Sequence, residues 1–424
     1  MKKLFTLFFL FLTLAVGFTS CSGEAEDVDS VNKQTILVFI PWTGSTNSTG
    51  LKSYLDVNID SIYQGIIDQK GLDDSRVLLF YSDTYDHSTL YDLQYDATKR
   101  TVSRVALKEY TGLTYNSDEG IADILNEVKQ KAYALNYAMI IGGHGCGWTY
   151  ADDWENYPNY ARPRIGSSTS TSASINTDNF SGIQFGAAPN KPLTRFFGSV
   201  SMRNGSIDIA TLANGIKQSG IKMQYILFDA CYMGNVETAY ELKDVANYVI
   251  SSSSEVLADG MPYRSLWSYL NSATPNYTSI VSTVINYYQT HNEPYVNVAA
   301  IDCRQLDNLA SVMKEINNQY TLDASIKLDS IQPLDGFSPH LFYDLKVYVD
   351  SLHPSGYLLS QFNTQLNATV KSAESTDYVI TALNPNRTEY IRIKSYCGMS
   401  ISDPSLHSVA IKGREKTGWW KATH

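Results

Sequence analysis

The chain lacks the cysteine density of a disulfide scaffold. It has 5 cysteines in 424 residues, far too few to staple an exported chain of this length. Charge is also sparse, at 18% of residues, and the balance is acidic, with a formal net charge of -10. Such a surface repels polyphosphate, which argues against a nucleic-acid partner and favours cationic ones. There is no His-Glu-x-x-His and no tight Cys/His cluster, so metal-dependent hydrolysis has no ligand set. No EF-hand-type loop and no internal repeat is present. Histidine itself is scarce, at 7 residues, so the setting of each one carries weight.

What is there is a globular composition. Hydrophobic residues make up 43% of the chain, with 30 tyrosines and 6 tryptophans, enough for one large domain or a large domain with a smaller one. The one long apolar run is at the start. Lys2 and Lys3 precede Leu4 to Val16, and Gly17-Phe18-Thr19-Ser20 lead into Cys21. The run is too short and wrongly flanked for a spanning helix and reads as a secretory signal over residues 1–20. The small residues before Cys21 resemble a bacterial lipobox, with Phe18 where Leu is usual. That resemblance implies lipidation of Cys21 and residues 21–34 as an acidic tether; plain secretion or periplasmic residence is the other reading. The implied home is the outer membrane or cell surface of a bacterium, with the lipid as the membrane contact.

From residue 35 apolar runs alternate with helical spacings. Strands are expected at Thr35–Trp42, Arg76–Tyr81, Tyr137–Ile141, Gln224–Phe228, Asn247–Ser252 and Val296–Cys303, with an edge strand or hairpin at Val105–Tyr110. Helices are expected at Leu51–Lys70, with Val57 counted in its apolar set, and at Ser117–Tyr133 with Ser117 as cap. Others follow at Gln305–Tyr320, Phe342–Leu352 and Gln361–Lys371, and Tyr390–Ser402 is strand-like. This is an α/β pattern with a mainly parallel sheet. A polar tract around Ser167–Ser174 marks a long exposed loop at about 155–205. The core domain is taken as 35–305, with 306–424 as a smaller, helical region packed on it.

Two strand ends carry chemistry. His144 stands in Gly142-Gly-His-Gly-Cys-Gly-Trp148, and it alone among the histidines follows an apolar strand into a glycine turn. Cys231 stands in Phe228-Asp-Ala-Cys-Tyr-Met-Gly234. Reactive groups of a parallel sheet gather at the carboxyl ends of its strands. If these two strands are neighbours, imidazole and thiol face one crevice, where the imidazole can take the thiol proton and return it to a leaving amine. The amides of Gly145 and Cys231 are candidates for an oxyanion hole. Cys146, in the His144 turn itself, competes for the nucleophile's role, but a thiol two residues from the base faces it poorly across a substrate.

These segments resemble the clostripain family of cysteine peptidases, relatives of caspases, gingipains and legumain. His144–Trp148 is similar to the family's His-Gly-x-Gly-Trp, and Asp229-Ala-Cys231 to its nucleophile segment. Ser254-Glu255 and Asp259–Tyr263, with Met261 where Trp is common, and Cys397–Ser402 resemble later segments. The resemblance runs from about Thr35 to Pro404. It implies a caspase-like α/β/α sandwich and a Cys231–His144 dyad cleaving protein or peptide substrates after Arg or Lys. It also implies that Asp229 lines the specificity pocket, with Asp259 as a second acid; the other reading of Asp229 is a cap for the helix that follows. Activation by self-cleavage between the two segments is implied as well, with Arg162 and Arg164 as candidate sites. No cofactor is required, although some members depend on calcium. The rival reading is a catalytically inactive surface-binding lipoprotein on the same fold.

Overall fold

The computed structural model describes residues 31–41, 51–84, 86–150, 153–154, 197–198, 206–290, 293–381 and 389–424. Cys21, Arg162, Arg164 and all but two residues of the loop at 155–205 lie outside them.

Nine strands form one sheet: β1 (Asn32–Ile40), β2 (Ser75–Thr84), β3 (His87–Asp96), β4 (Thr101–Thr111), β5 (Ala134–Gly142), β6 (Met223–Asp229), β7 (Tyr248–Ser251), β8 (Asn297–Asp302) and β9 (Val370–Ser375). Their spatial order is β9-β8-β7-β6-β5-β1-β2-β3-β4. The run from β7 to β2 is parallel, and antiparallel strands close both edges.

The central strands are apolar throughout because both faces are covered. In β1, Ile36, Val38 and Ile40 face one layer while Leu37 and Phe39 face the other. In β6, Tyr225 and Leu227 alternate with Ile226 and Phe228 in the same way. The first layer holds helices α1 (Leu51–Gln69), α2 (Tyr263–Leu270) and α3 (Tyr277–Gln289). The second includes Asp118–Lys131, Ile209–Ser219, Val236–Leu242, Leu306–Asn317 and Gly356–Thr369. The result is the expected α/β/α sandwich.

Local signals account for the helix starts. Ser117 caps Asp118–Lys131 by accepting from the Gly120 amide at 3.1 Å. Asn235 caps Val236–Leu242 through the Thr238 amide at 2.8 Å.

Some elements differ from the sequence pattern. Val57 is 63% exposed, because the buried stripe of α1 runs through Leu51, Leu55, Asn58, Ile59, Ile62 and Ile66 at helical spacing. Strand β3 has no apolar run to announce it; it forms by hairpin pairing with β4 along ten residue pairs. The helix expected to reach Lys371 stops at Thr369, and the chain becomes β9, paired with β8. The stretch after residue 306 therefore supplies an edge strand to the same sheet as well as helices.

Because Leu227 is fully buried at the sheet centre, Leu227→Ala should cost about 2–5 kcal/mol in chemical denaturation. Val57→Ala on the exposed side of α1 should stay within about 0.5 kcal/mol.

Candidate active site

Strands β5 and β6 are neighbours, and their parallel register pairs Gly142 with Asp229. His144 and Cys231 each lie two residues beyond that pair. Adjacent strands sit about 4.8 Å apart, so the two residues leave the sheet at the same end on neighbouring strands. The Gly143 amide donates to the Asp229 carbonyl at 3.3 Å, carrying the pairing one step past the strand.

The turns that follow are packed against each other. A methyl on Gly145 would run into the Cys231 carbonyl oxygen and lie 3.0 Å from Ala230 Cβ and Met233 Sδ. Only a glycine lets the two backbones approach this closely. It brings Gly145, one of the two oxyanion-hole candidates, against the nucleophile segment.

Cys231 is presented by a sharp turn. Tyr232 has a φ of 61°, a left-handed conformation that costs a bulky residue free energy. Its surroundings hold it there. The Tyr232 amide donates to Ser254 O at 2.9 Å, its carbonyl accepts from Asn235 Nδ2 at 2.7 Å, and its hydroxyl donates to Glu255 Oε1 at 2.6 Å. The ring stacks on Phe342 with centroids 5.5 Å apart. Glu255 also accepts from Thr381 Oγ1 at 2.7 Å.

Both reactive groups are buried: His144 is 2% exposed and Cys231 6%. The Val256 amide donates to Cys231 Sγ at 3.3 Å, and the thiol faces the Val256 carbonyl at 3.7 Å. Burial pushes the Cys231 thiol well above its usual range, and the Glu255 carboxylate adds to this. Burial likewise lowers the His144 imidazole to about 3. In this conformation the pair is thiol and neutral imidazole. Cys146 is also buried, within the same cluster of side chains as Cys231.

Asp229 lies in a pocket beside the thiol, lined also by Asn58, Gly143, Val256, Leu257 and Gly260. Its Oδ2 accepts from Asn58 Nδ2 at 3.1 Å, the Met261 amide at 3.2 Å and the Tyr263 hydroxyl at 2.8 Å. Burial nonetheless raises its pKa, with the Tyr263 bond the largest force in the other direction. The cap of the helix after Cys231 is Asn235, so Asp229 has no capping work to do. Gly260, at φ 65°, packs on the carboxylate, where a methyl would lie 2.6 Å from Oδ2.

Asp259 is exposed and is absent from the pocket lining; its main-chain carbonyl accepts from Asn58 at 3.3 Å. Sequence reasoning missed Asn58. Its one signal was an amide on the buried stripe of an otherwise apolar helix face. Among the described residues, no group of three or more His, Cys, Asp or Glu could hold a metal ion.

The buried neutral imidazole has a consequence for stability. Its folded value lies below the ordinary one near 6.5, so the unfolded chain takes up the proton first as pH falls. Stability from this group is complete above pH ~6.5 and is lost toward pH ~3, at up to about 1.4 kcal/mol per unit. The wild-type chain and His144→Asn should therefore diverge in unfolding free energy between pH 6.5 and 5 and run parallel above pH 7.

Known proteins share this fold. The clostripain family model, of C11 peptidases, matches residues 191–405. A secreted C11 cysteine protease from Bacteroides thetaiotaomicron, "iotapain", is 36% identical; the match covers 93% of this chain and 99% of that one, with a TM-score of 0.78. A clostripain from the same species, in complex with the peptide inhibitor BTN-VLTK-AOMK, is 44% identical over 54% of this chain and 99% of its own, with a TM-score of 0.51. An inactive zymogen C11 protease from Parabacteroides distasonis shares the fold at 21% identity, covering 93% of this chain and 98% of that one, with a TM-score of 0.72. No curated protein matches. The chain belongs to the clostripain family and is a cysteine peptidase.

Proposed function

We propose that the chain is an endopeptidase cleaving after Arg or Lys, with Cys231 as nucleophile and His144 as its acid–base partner. The observation that carries this is the β5–β6 register, which sets both residues two steps beyond one strand pair with Asp229 in the adjoining pocket. Cys231 gives its proton to His144 and attacks the scissile carbonyl. His144 then protonates the leaving amine, and water hydrolyses the thioester. The Gly145 and Cys231 amides serve the oxyanion.

The specificity reading rests on the charge of Asp229. A buried carboxylate raised by desolvation gains most from a cationic guest. Its three hydrogen bonds all converge on Oδ2, which leaves Oδ1 to meet an ammonium or guanidinium. The inhibitor bound by the clostripain relative is written with Lys as the last of its four residues, in line with this. Asp259, exposed at the edge of the same segment, acts as the outer acid.

Burial of the dyad fits a latent chain that opens once the loop between His144 and Cys231 is cut. Arg162 and Arg164 suit an enzyme of this specificity. Cys21 would carry the lipid anchor at a bacterial outer surface; among the described residues no helix is long and apolar enough to cross a membrane. The dyad scheme uses no cofactor.

Two measurements test the reading. Asp229→Asn should lower kcat/KM on Arg and Lys fluorogenic peptides by about thirtyfold to several thousandfold, the about 2–5 kcal/mol lost when one partner of a buried charge pair is removed, while Cys231 still reacts with an uncharged alkylator. Undiminished Arg/Lys preference in this variant would remove Asp229 from the pocket. Cys231→Ala should be recovered as one uncut chain by mass spectrometry. Clipping of that variant in pure form would show that the cut is made by another enzyme.

A further inference from the structure

The segment Cys397–Ser402 has no part in the chemistry above, yet it touches both catalytic turns. Ser400 and Ile401 form a short antiparallel ladder with Tyr343 and Asp344. On the other side Ser400 bridges Asn235, its amide donating to the Gly234 carbonyl at 2.9 Å. Two residues on, Ser402 reaches in two directions. Its hydroxyl accepts from Trp148 Nε1 at 2.9 Å, and its amide donates to Glu237 Oε1 at 2.7 Å. Ser402 is fully buried, Trp148 is 3% exposed and Glu237 1%.

Trp148 ends the turn that begins at His144, and Glu237 lies in the first turn of the helix after Cys231. The two turns already abut: a methyl on Gly147 would lie 2.5 Å from Asn235 Nδ2 and 2.9 Å from the Tyr232 carbonyl. Gly147 has a φ of 63°, so it also releases the chain toward Trp148 without strain. Contact alone fixes separation but leaves sliding free. The indole is pinned from a second side by Gly413, where a methyl would lie 2.8 Å from the Trp148 ring. A directional hydrogen bond at its nitrogen, made by a residue that also holds the Cys231 helix, fixes the remaining freedom.

We propose that Ser402 is a positioning residue that ties the His144 turn to the Cys231 helix and so sets the alignment of thiol and imidazole. The inference rests on the dyad reading. Small errors in such alignment are costly, since a displacement of about 1 Å can cost a hundredfold in rate. Ser402 touches neither the pocket around Asp229 nor the thiol, so its loss should act on the chemical step rather than on substrate binding.

The test uses the full chain after limited nicking of the loop. Ser402→Ala deletes the acceptor and keeps the amide to Glu237; Trp148→Phe deletes the donor and keeps the ring. Each should lower kcat on a Lys peptide about tenfold and leave KM within about twofold, with the melting temperature of the nicked protein lower by only the several degrees expected for one buried hydrogen bond. The double variant should fall no further than the worse single, since both remove one bond. A Ser402→Ala enzyme with wild-type kcat, a loss confined to KM, or losses that multiply in the double variant would each overturn the proposal. Cys231→Ala run alongside separates the two readings: turnover surviving in it would sink the dyad itself, whatever Ser402 does.

Discussion

The parallel pairing of β5 with β6 is the constraint on which the active site depends. Its register sets Gly142 against Asp229, and everything chemical is counted from that pair. One residue of slippage would turn every side chain of β6 to the opposite helical layer, placing Ile226 and Phe228 where Tyr225 and Leu227 belong. Both layers are filled with apolar side chains of definite shape, so such a slip is strongly opposed. The hydrophobic core thus does more than stabilise the fold. It fixes the distance between two reactive groups that share no element and lie far apart in sequence.

In the site built on this register the apolar surroundings disfavour charge. Desolvation acts on the thiol, the imidazole and Asp229 alike, and in each case it favours the uncharged form. The polar contacts present only partly oppose it: the Val256 amide at the sulfur, and three donors on one carboxylate oxygen. A peptide entering the pocket changes this balance. On the proposed reading a basic side chain would compensate Asp229, and the peptide main chain would bring donors and acceptors to the region lined by Val256, Leu257 and Gly260. Activation and substrate binding are in this sense the same electrostatic problem, that of supplying partners for charges the apolar surroundings disfavour.

Much of this was legible in the sequence because the central strands are short apolar runs and the reactive residues follow them directly. His144 and Cys231 could be paired by the single assumption that their strands are neighbours, and the topology meets it. Other parts could not be read. Strand β3 alternates polar and apolar residues weakly, and pairing with β2 on one side and β4 on the other makes it a strand. Strand β9 begins inside a helical pattern and is extended because the edge of β8 needs a partner. Asn58 looked like an interruption of an apolar face, since its partner Asp229 is separated from it by 171 positions. Ser402 was marked only as the end of a segment resembling the family, and its bond to Trp148, spanning 254 positions, could not be read. Local pattern carries strands and turns; it does not carry which distant side chain a buried polar group will meet.

The edge strand from the far end of the chain bears on when the protein can become whole. Strand β9 and the Ser400–Ser402 segment are synthesised well after His144 and Cys231, yet one completes the main sheet and the other bridges the turns that carry those two residues. A nascent chain still short of residue 370 holds His144 and Cys231 but leaves β8 with an open edge. The two reactive side chains can therefore be present in a partly made chain before the strand that covers β8 and the bridge between their turns are in place.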